Sequence, residues 1–179
     1  IVVVHYFSYY CHLCAEYAPA MRAWFAKLPQ DVQLVQVAVP IKDQRGRFPD
    51  SAAYVALDRM RKTAALDPLI YDLINRGQTG FADALTMRAW LAKNGVTEAE
   101  LDAEMKGFGY AIALQSSRMW GAAFMNSSAT LIPQVAIDGR YLVRYAEYSG
   151  GRSAAEQERV FAKHLEVMDR LIERVRRER

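Results

Sequence analysis

The stretch FSYYCHLCAEYAP, Phe7 to Pro19, decides how this chain is read. It holds both cysteines, Cys11 and Cys14, and a proline follows five residues after the second. Ahead of it, IVVVHYF is β-branched and aromatic, the pattern of a short buried strand over residues 1–7. Behind it, from about Leu13 to Lys27, Ala, Met, Arg and Trp replace the β-branched residues and the pattern turns helical. Pro19 falls inside that helix, where it removes a backbone donor and is expected to kink it. The cysteines therefore sit where a strand passes into a helix. The unpaired N–H groups and partial positive charge of a helix N-terminus stabilise a thiolate on the first cysteine. A lowered thiol pKa makes that sulfur a better leaving group and a more populated nucleophile. Two intervening residues let the second sulfur reach the first. By spacing alone the pair reads as a redox centre, an inert disulfide or two quiet core thiols. Its place at the strand–helix junction favours redox chemistry, with Cys11 exposed and attacking and Cys14 buried and resolving. A metal site is disfavoured: zinc usually takes four ligands, and beyond the cysteines only His5, His12, His164 and carboxylates are on offer.

Working outward, VQLVQVAV (32–39) reads as a second strand closed by Pro40. Strand, helix, strand predicts a parallel pair with a right-handed crossover. A loop with Gly46 and Pro49 then leads into helices near 51–65, 68–76, 83–94, 98–106 and 108–125. Breaks are expected at Pro68, Gly77/Gly80, Asn94-Gly95 and Gly107, with Asp83 and Thr97 as N-caps. IPQVAIDGRYLVRY then gives strand, Asp138-Gly139 turn, strand, a strong hairpin signal. The last helix is expected from about Ala154 to Arg176. Its apolar stripe, which includes Val160, Phe161, Met168, Leu171 and Val175, reads as mostly core, and His164 beside it as structural. The order is βαβ, about eighty helical residues, then ββα, an α/β chain without internal repeats.

Composition narrows the function. The chain has 179 residues, 52% apolar and 24% charged, an ordinary globular balance. A net charge of +3 is too mild to argue for nucleic acid, and much of the excess lies in the closing RLIERVRRER. No apolar run approaches the ~18–20 residues that span a membrane. The opening residues carry no charged leader or cleavage pattern, so they read as a strand rather than a signal peptide. Two cysteines in one motif staple nothing, so stability must come from packing.

These residues resemble the DsbA-type thiol:disulfide oxidoreductases of the thioredoxin superfamily. HYFSYYCHLC is similar to that family's strand and active-site helix start, Pro19 to the superfamily's helix proline, and LIPQVAIDGRYLV to its cis-proline segment. The resemblance implies a thioredoxin fold (βαβ…ββα) at 1–45 and 126–179 with a helical insertion at 46–125. It implies Pro133 as the cis-proline facing the cysteines, Ile132 before it, and a substrate surface of Tyr9, Tyr10, His12, Leu13, Ile132 and Pro133. It further implies a dithiol oxidase that needs no cofactor or metal. Such an enzyme introduces disulfides into reduced, unfolded proteins in the periplasm, and a DsbB-like membrane partner restores its own disulfide.

Two departures bear on the chemistry. The family typically has Pro-His between its cysteines, whereas this chain has His12-Leu13. Leu13 cannot hold a thiolate as the family's histidine does, while His12 can carry charge toward Cys11. His5 stands where the superfamily usually has a buried carboxylate: titrating near neutrality, it could relay a proton or, when charged, favour the thiolate, or it is a strand histidine satisfied by a hydrogen bond. Gln36 falls where the family often has that acid's lysine partner. Rival readings are a reductase or isomerase on the same fold, and a peptide-binding chaperone module with a static disulfide.

Overall fold

The computed structural model describes residues 1–39, 49–76, 80–81, 83–126, 131–144 and 153–179. The expected landmarks Pro40, Gly46 and Gly77 lie outside them. Four strands and seven helices are described: β1 (Val2–Phe7), α1 (His12–Phe25), β2 (Gln33–Ala38), α2 (Pro49–Arg59), α3 (Thr63–Asn75), α4 (Ala84–Lys93), α5 (Glu98–Met105), α6 (Phe108–Met125), β3 (Gln134–Ile137), β4 (Tyr141–Arg144) and α7 (Ala154–Arg177). The chain forms two units.

The first unit takes Ile1–Phe7, Cys11–Val37 and Leu131–Arg179. Its sheet has the order β2-β1-β3-β4. β3 runs antiparallel to both neighbours, placing His5 opposite Val135 and Tyr6 opposite Gln134. The register puts Val3, Val135, Ile137 and Val143 in one core with Tyr17, Met21 and Trp24 of α1 and Phe161, Met168, Ile172 and Val175 of α7. Such apolar faces are what bind helix to sheet, at about 1.5–3 kcal/mol per fully buried side chain. The Trp24 indole N–H donates to Asp169 at 2.7 Å and ties α1 to α7 at their edge. The β3–β4 hairpin turns through Asp138 (φ 53°) and Gly139 (φ 65°), closed by Arg140 N–H on the Ile137 carbonyl at 3.0 Å. Two left-handed residues in a two-residue loop suit the right-handed twist of the strands.

The second unit takes Ala38–Thr130 together with Ser8–Tyr10. It contains the 46–125 segment and reaches beyond it at both ends, taking in three residues just before Cys11. Helix α2 packs on α3, α4, α5 and α6. Asp83 and Thr97 each close a reciprocal capping box, with Thr86 and Glu100 respectively. The break expected at Pro68 is not there: Pro68 lies inside α3. A helix-interior proline costs about 3 kcal/mol, and burying Leu66, Ile70, Tyr71 and Ile74 on the same helix outweighs it. The actual stop comes earlier, splitting the expected 51–65 helix. Lys62 N–H bonds the Leu57 carbonyl at 2.8 Å and Arg61 N–H that of Asp58 at 2.9 Å, with Arg61 left-handed at φ 57°. That is a Schellman stop made without the usual glycine, so composition does not announce it. No helix among the described residues is long and apolar enough to cross a membrane.

Candidate active site

Cys11 is the N-cap of α1, in extended backbone at φ −90°, ψ 111°. An N-cap side chain accepts from the first-turn amides, and here the acceptor is sulfur: Cys14 N–H points at Cys11 Sγ, 3.1 Å away. Hydrogen bonding from the Cys14 side chain draws the Cys11 thiol below its ordinary pKa; burial pushes the other way, and the Cys14 and Leu13 amides add to the lowering. Cys11 is half-buried, Cys14 is 2% exposed, and neither is in a disulfide. The Cys11 thiol also faces the Ile132 carbonyl at 3.6 Å. The Ile132–Pro133 peptide bond is cis. Pro133 is buried and Ile132 half-buried, while Leu131 before them is exposed.

The residues between the cysteines diverge. Leu13 packs against the core cluster. The His12 side chain is 73% exposed, and its Nε2 lies 3.0 Å from Glu16 Oε1, one turn along α1. It spends its polar end on Glu16, a partner the sequence reading did not assign to it although the i, i+4 spacing is visible there.

His5 is buried between Phe7, stacked at 5.3 Å, and Phe25 of α1, at 5.5 Å. Burial drives its pKa down from 6.5 to about 4; a hydrogen bond with the Gln36 side chain opposes the drop, and the His164 charge adds slightly to it. Gln36 is therefore its neighbour, as the strand pairing implied. The expected titration near neutrality is corrected: desolvation outweighs the hydrogen bond, and His5 is neutral at pH 7. Its Nδ1 has no hydrogen-bond partner among the described residues.

Tyr9 and Tyr10 belong to the second unit. Tyr9 is 0% exposed; its hydroxyl donates to Asp67 at 2.6 Å and its ring meets Tyr71 edge-on at 5.1 Å. Asn75 holds its carbonyl at 3.0 Å. Its expected place on a substrate surface is corrected: its aromatic area is spent inside the helical unit. Tyr10 is exposed and lies against Gly80, where a Cβ would run into its ring. Three features went unread in the sequence. Leu131 extends the apolar lip at Ile132. Gln134 is fully buried, and neither of its amide atoms has a partner among the described residues. Tyr17 lies 2.6 Å through its hydroxyl from His164 Nδ1, joining α1 to α7 in the interior.

The geometry can hold a thiolate on Cys11 and pass a disulfide between Cys11 and an incoming thiol. No group of three or more potential metal ligands occurs among the described residues. No family model matches the chain. It is 29% identical over 162 residues to the thiol:disulfide interchange protein DsbA of Bordetella pertussis, covering 88% of this chain and 74% of that protein. The DsbA of Pseudomonas syringae pv. tomato is 23% identical over 98% of this chain and 75% of its own length. Among solved structures, the crystal structure of Pseudomonas aeruginosa DsbA superposes with a TM-score of 0.77 at 20% identity, over 99% of this chain and 84% of that one. DsbA from Proteus mirabilis gives 0.77 at 17% identity, over 95% and 87%. The fold is thus the thioredoxin fold with an inserted helical domain.

Proposed function

We propose that this chain, a DsbA-type member of the thioredoxin superfamily, is a thiol:disulfide oxidoreductase working as a dithiol oxidase on reduced proteins in the periplasm. The observation that carries this reading is Cys11 standing as the sulfur N-cap of α1, 3.1 Å from the Cys14 amide. In the oxidised enzyme a substrate thiolate attacks Cys11 Sγ. The Cys11–Cys14 bond breaks, Cys14 leaves as a thiolate and takes a proton, and a mixed disulfide joins substrate to Cys11. A second substrate thiolate then attacks the substrate sulfur of that bond. The substrate leaves oxidised by two electrons, and Cys11 departs as a thiolate.

Direction follows from how well that last thiolate is held. Each unit by which the Cys11 pKa falls below ambient pH favours the reduced enzyme by about 1.36 kcal/mol, or ~30 mV for this couple. The Cys14 side chain, and after it the first-turn N–H groups, lower it. His5 acts in the same sense: a neutral imidazole in place of the superfamily's carboxylate sets no negative charge on the sheet face beneath α1. A base with a pKa of about 4 is a poor proton relay at pH 7, so His5 is a positioning residue. Substrate meets exposed Leu131 and half-buried Ile132 beside Cys11, with Pro133 buried behind them and His12 at the rim; exposed apolar groups suit unfolded chains. A DsbB-type membrane protein reoxidises the pair.

The test is equilibration with glutathione, together with turnover on a reduced dithiol peptide. An oxidase gives a potential well above thioredoxin's approximately −270 mV, with turnover lost in Cys11→Ser. A potential near −270 mV makes it a reductase, and turnover surviving Cys11→Ser sinks the mechanism.

A further inference from the structure

The sheet's edge strand β4 and helix α7 enclose a cavity of about 450 Å³, built within the first unit and sharing no residue with the cysteine site. That volume suits a small organic ligand. Along α7 its lining repeats every fourth residue: Arg159, Lys163, Val167, Leu171. Four positions at that spacing share one helix face and span about 18 Å at 1.5 Å per residue. Charge is therefore segregated along the groove, with two cations at the start of the stripe and two apolar side chains further on. β4 adds Leu142, Val143 and Arg144 to the lining.

The cations are available. Arg170, Arg174 and Arg176, further along the same helix, are paired with Glu166, Glu178 and Asp31. Arg144, Arg159 and Lys163 form no ion pair among the described residues. Three cations in the lining of one apolar groove have no counter-charge among the described residues, and guanidinium groups match a carboxylate in shape as well as charge.

We propose that this groove binds a single-tailed organic anion, a carboxylate whose head lies between Arg144, Arg159 and Lys163 and whose aliphatic tail lies on Val167 and Leu171. The floor gives the site its own reporter. His164 lines the cavity and is joined through Nδ1 to the Tyr17 hydroxyl of α1. The proposal stands independently of the redox reading.

Sodium octanoate is the probe, titrated into the full chain with methyl and His164 ring resonances followed by NMR. Saturable shifts at Val167, Leu171 and His164 are expected, with 1-octanol and acetate each at least about tenfold weaker. Arg159→Glu/Lys163→Glu lowers octanoate affinity at least about tenfold, whereas Arg170→Glu, outside the groove, leaves it unchanged. Val167→Trp, which fills the apolar end, removes the tail's contribution and brings octanoate down to the level of acetate. The proposal is overturned if octanol binds as tightly as octanoate, if the double charge reversal has no effect, or if the shifts fall at Leu131 and Ile132 instead. The Cys11 thiol titration serves as the measure of folding in every variant, since none of these positions touches it.

Discussion

The backbone amide of Cys14 points at the sulfur of Cys11 across 3.1 Å, so that one cysteine of the pair holds the other's sulfur. Cys14 also acts through its side chain, which is the largest influence lowering the Cys11 pKa. Cys14→Ala is therefore expected to raise the Cys11 pKa while Cys14→Ser, which keeps a donor, raises it less. Thiolate absorbance near 240 nm against pH reads both. A Cys14→Ala midpoint equal to or below the parent's defeats the assignment.

His5 makes stability depend on pH. Its folded pKa of about 4 lies below the ordinary 6.5, so between those values the unfolded chain binds more protons. Stability is complete above pH 6.5 and falls as pH drops toward 4, by about 2 kcal/mol at pH 5 from this residue. His164, pulled down to about 4 by burial, acts in the same direction. Urea midpoints at pH 7 and pH 5 measure the sum, and His5→Phe should flatten the difference. An unchanged slope in that variant would mean that His5 is solvated.

Because His5 is neutral across pH 5 to 8, removing it should not alter the shape of the pH–rate profile for disulfide reduction there. His5→Ala is expected to shift the whole profile without moving its inflections. An inflection near 6.5 that vanishes with His5 would restore it as a relay.

The Tyr17–His164 contact joins α1 to α7 inside the core. Tyr17→Phe removes this bond and should cost about 0.5–1.5 kcal/mol in chemical denaturation. A loss under a few tenths of a kcal/mol would show that the bond carries no net stability.

Gly139 has φ 65° and open space around its missing Cβ. Gly139→Val meets no neighbour, so its cost is the backbone's alone, about 1–2 kcal/mol. A thermal midpoint matching the parent's would show the turn relaxing.

Local signals carry much of the architecture. The strand before Cys11, the helix after it, the Asp138-Gly139 hairpin and the capped helices at Asp83 and Thr97 each rest on residues within a few positions of one another, where periodicity, caps and turn chemistry are written directly. The stop at Arg61 and the continuity through Pro68 were not legible, because a left-handed arginine and a tolerated proline each depend on the packing around them. At the site, the cysteine spacing and helix start were legible in the same local way.

By itself, then, the sequence determined the strand–helix junction, the sulfur at its cap and the hairpin bearing Pro133, since all of these follow from short-range conformational preference. Tertiary structure alone decided the rest. It brought the Ile132 carbonyl to Cys11 across 121 positions, turned Tyr9 inward onto Asp67, and set β4 against α7 so that three cations share one groove. It also moved His5 from a neutral-range titrator to a buried neutral ring. The physical reason is common to all four: desolvation and contact at a distance along the chain are properties of the packed core, and no local stretch of residues encodes how deeply it will be buried.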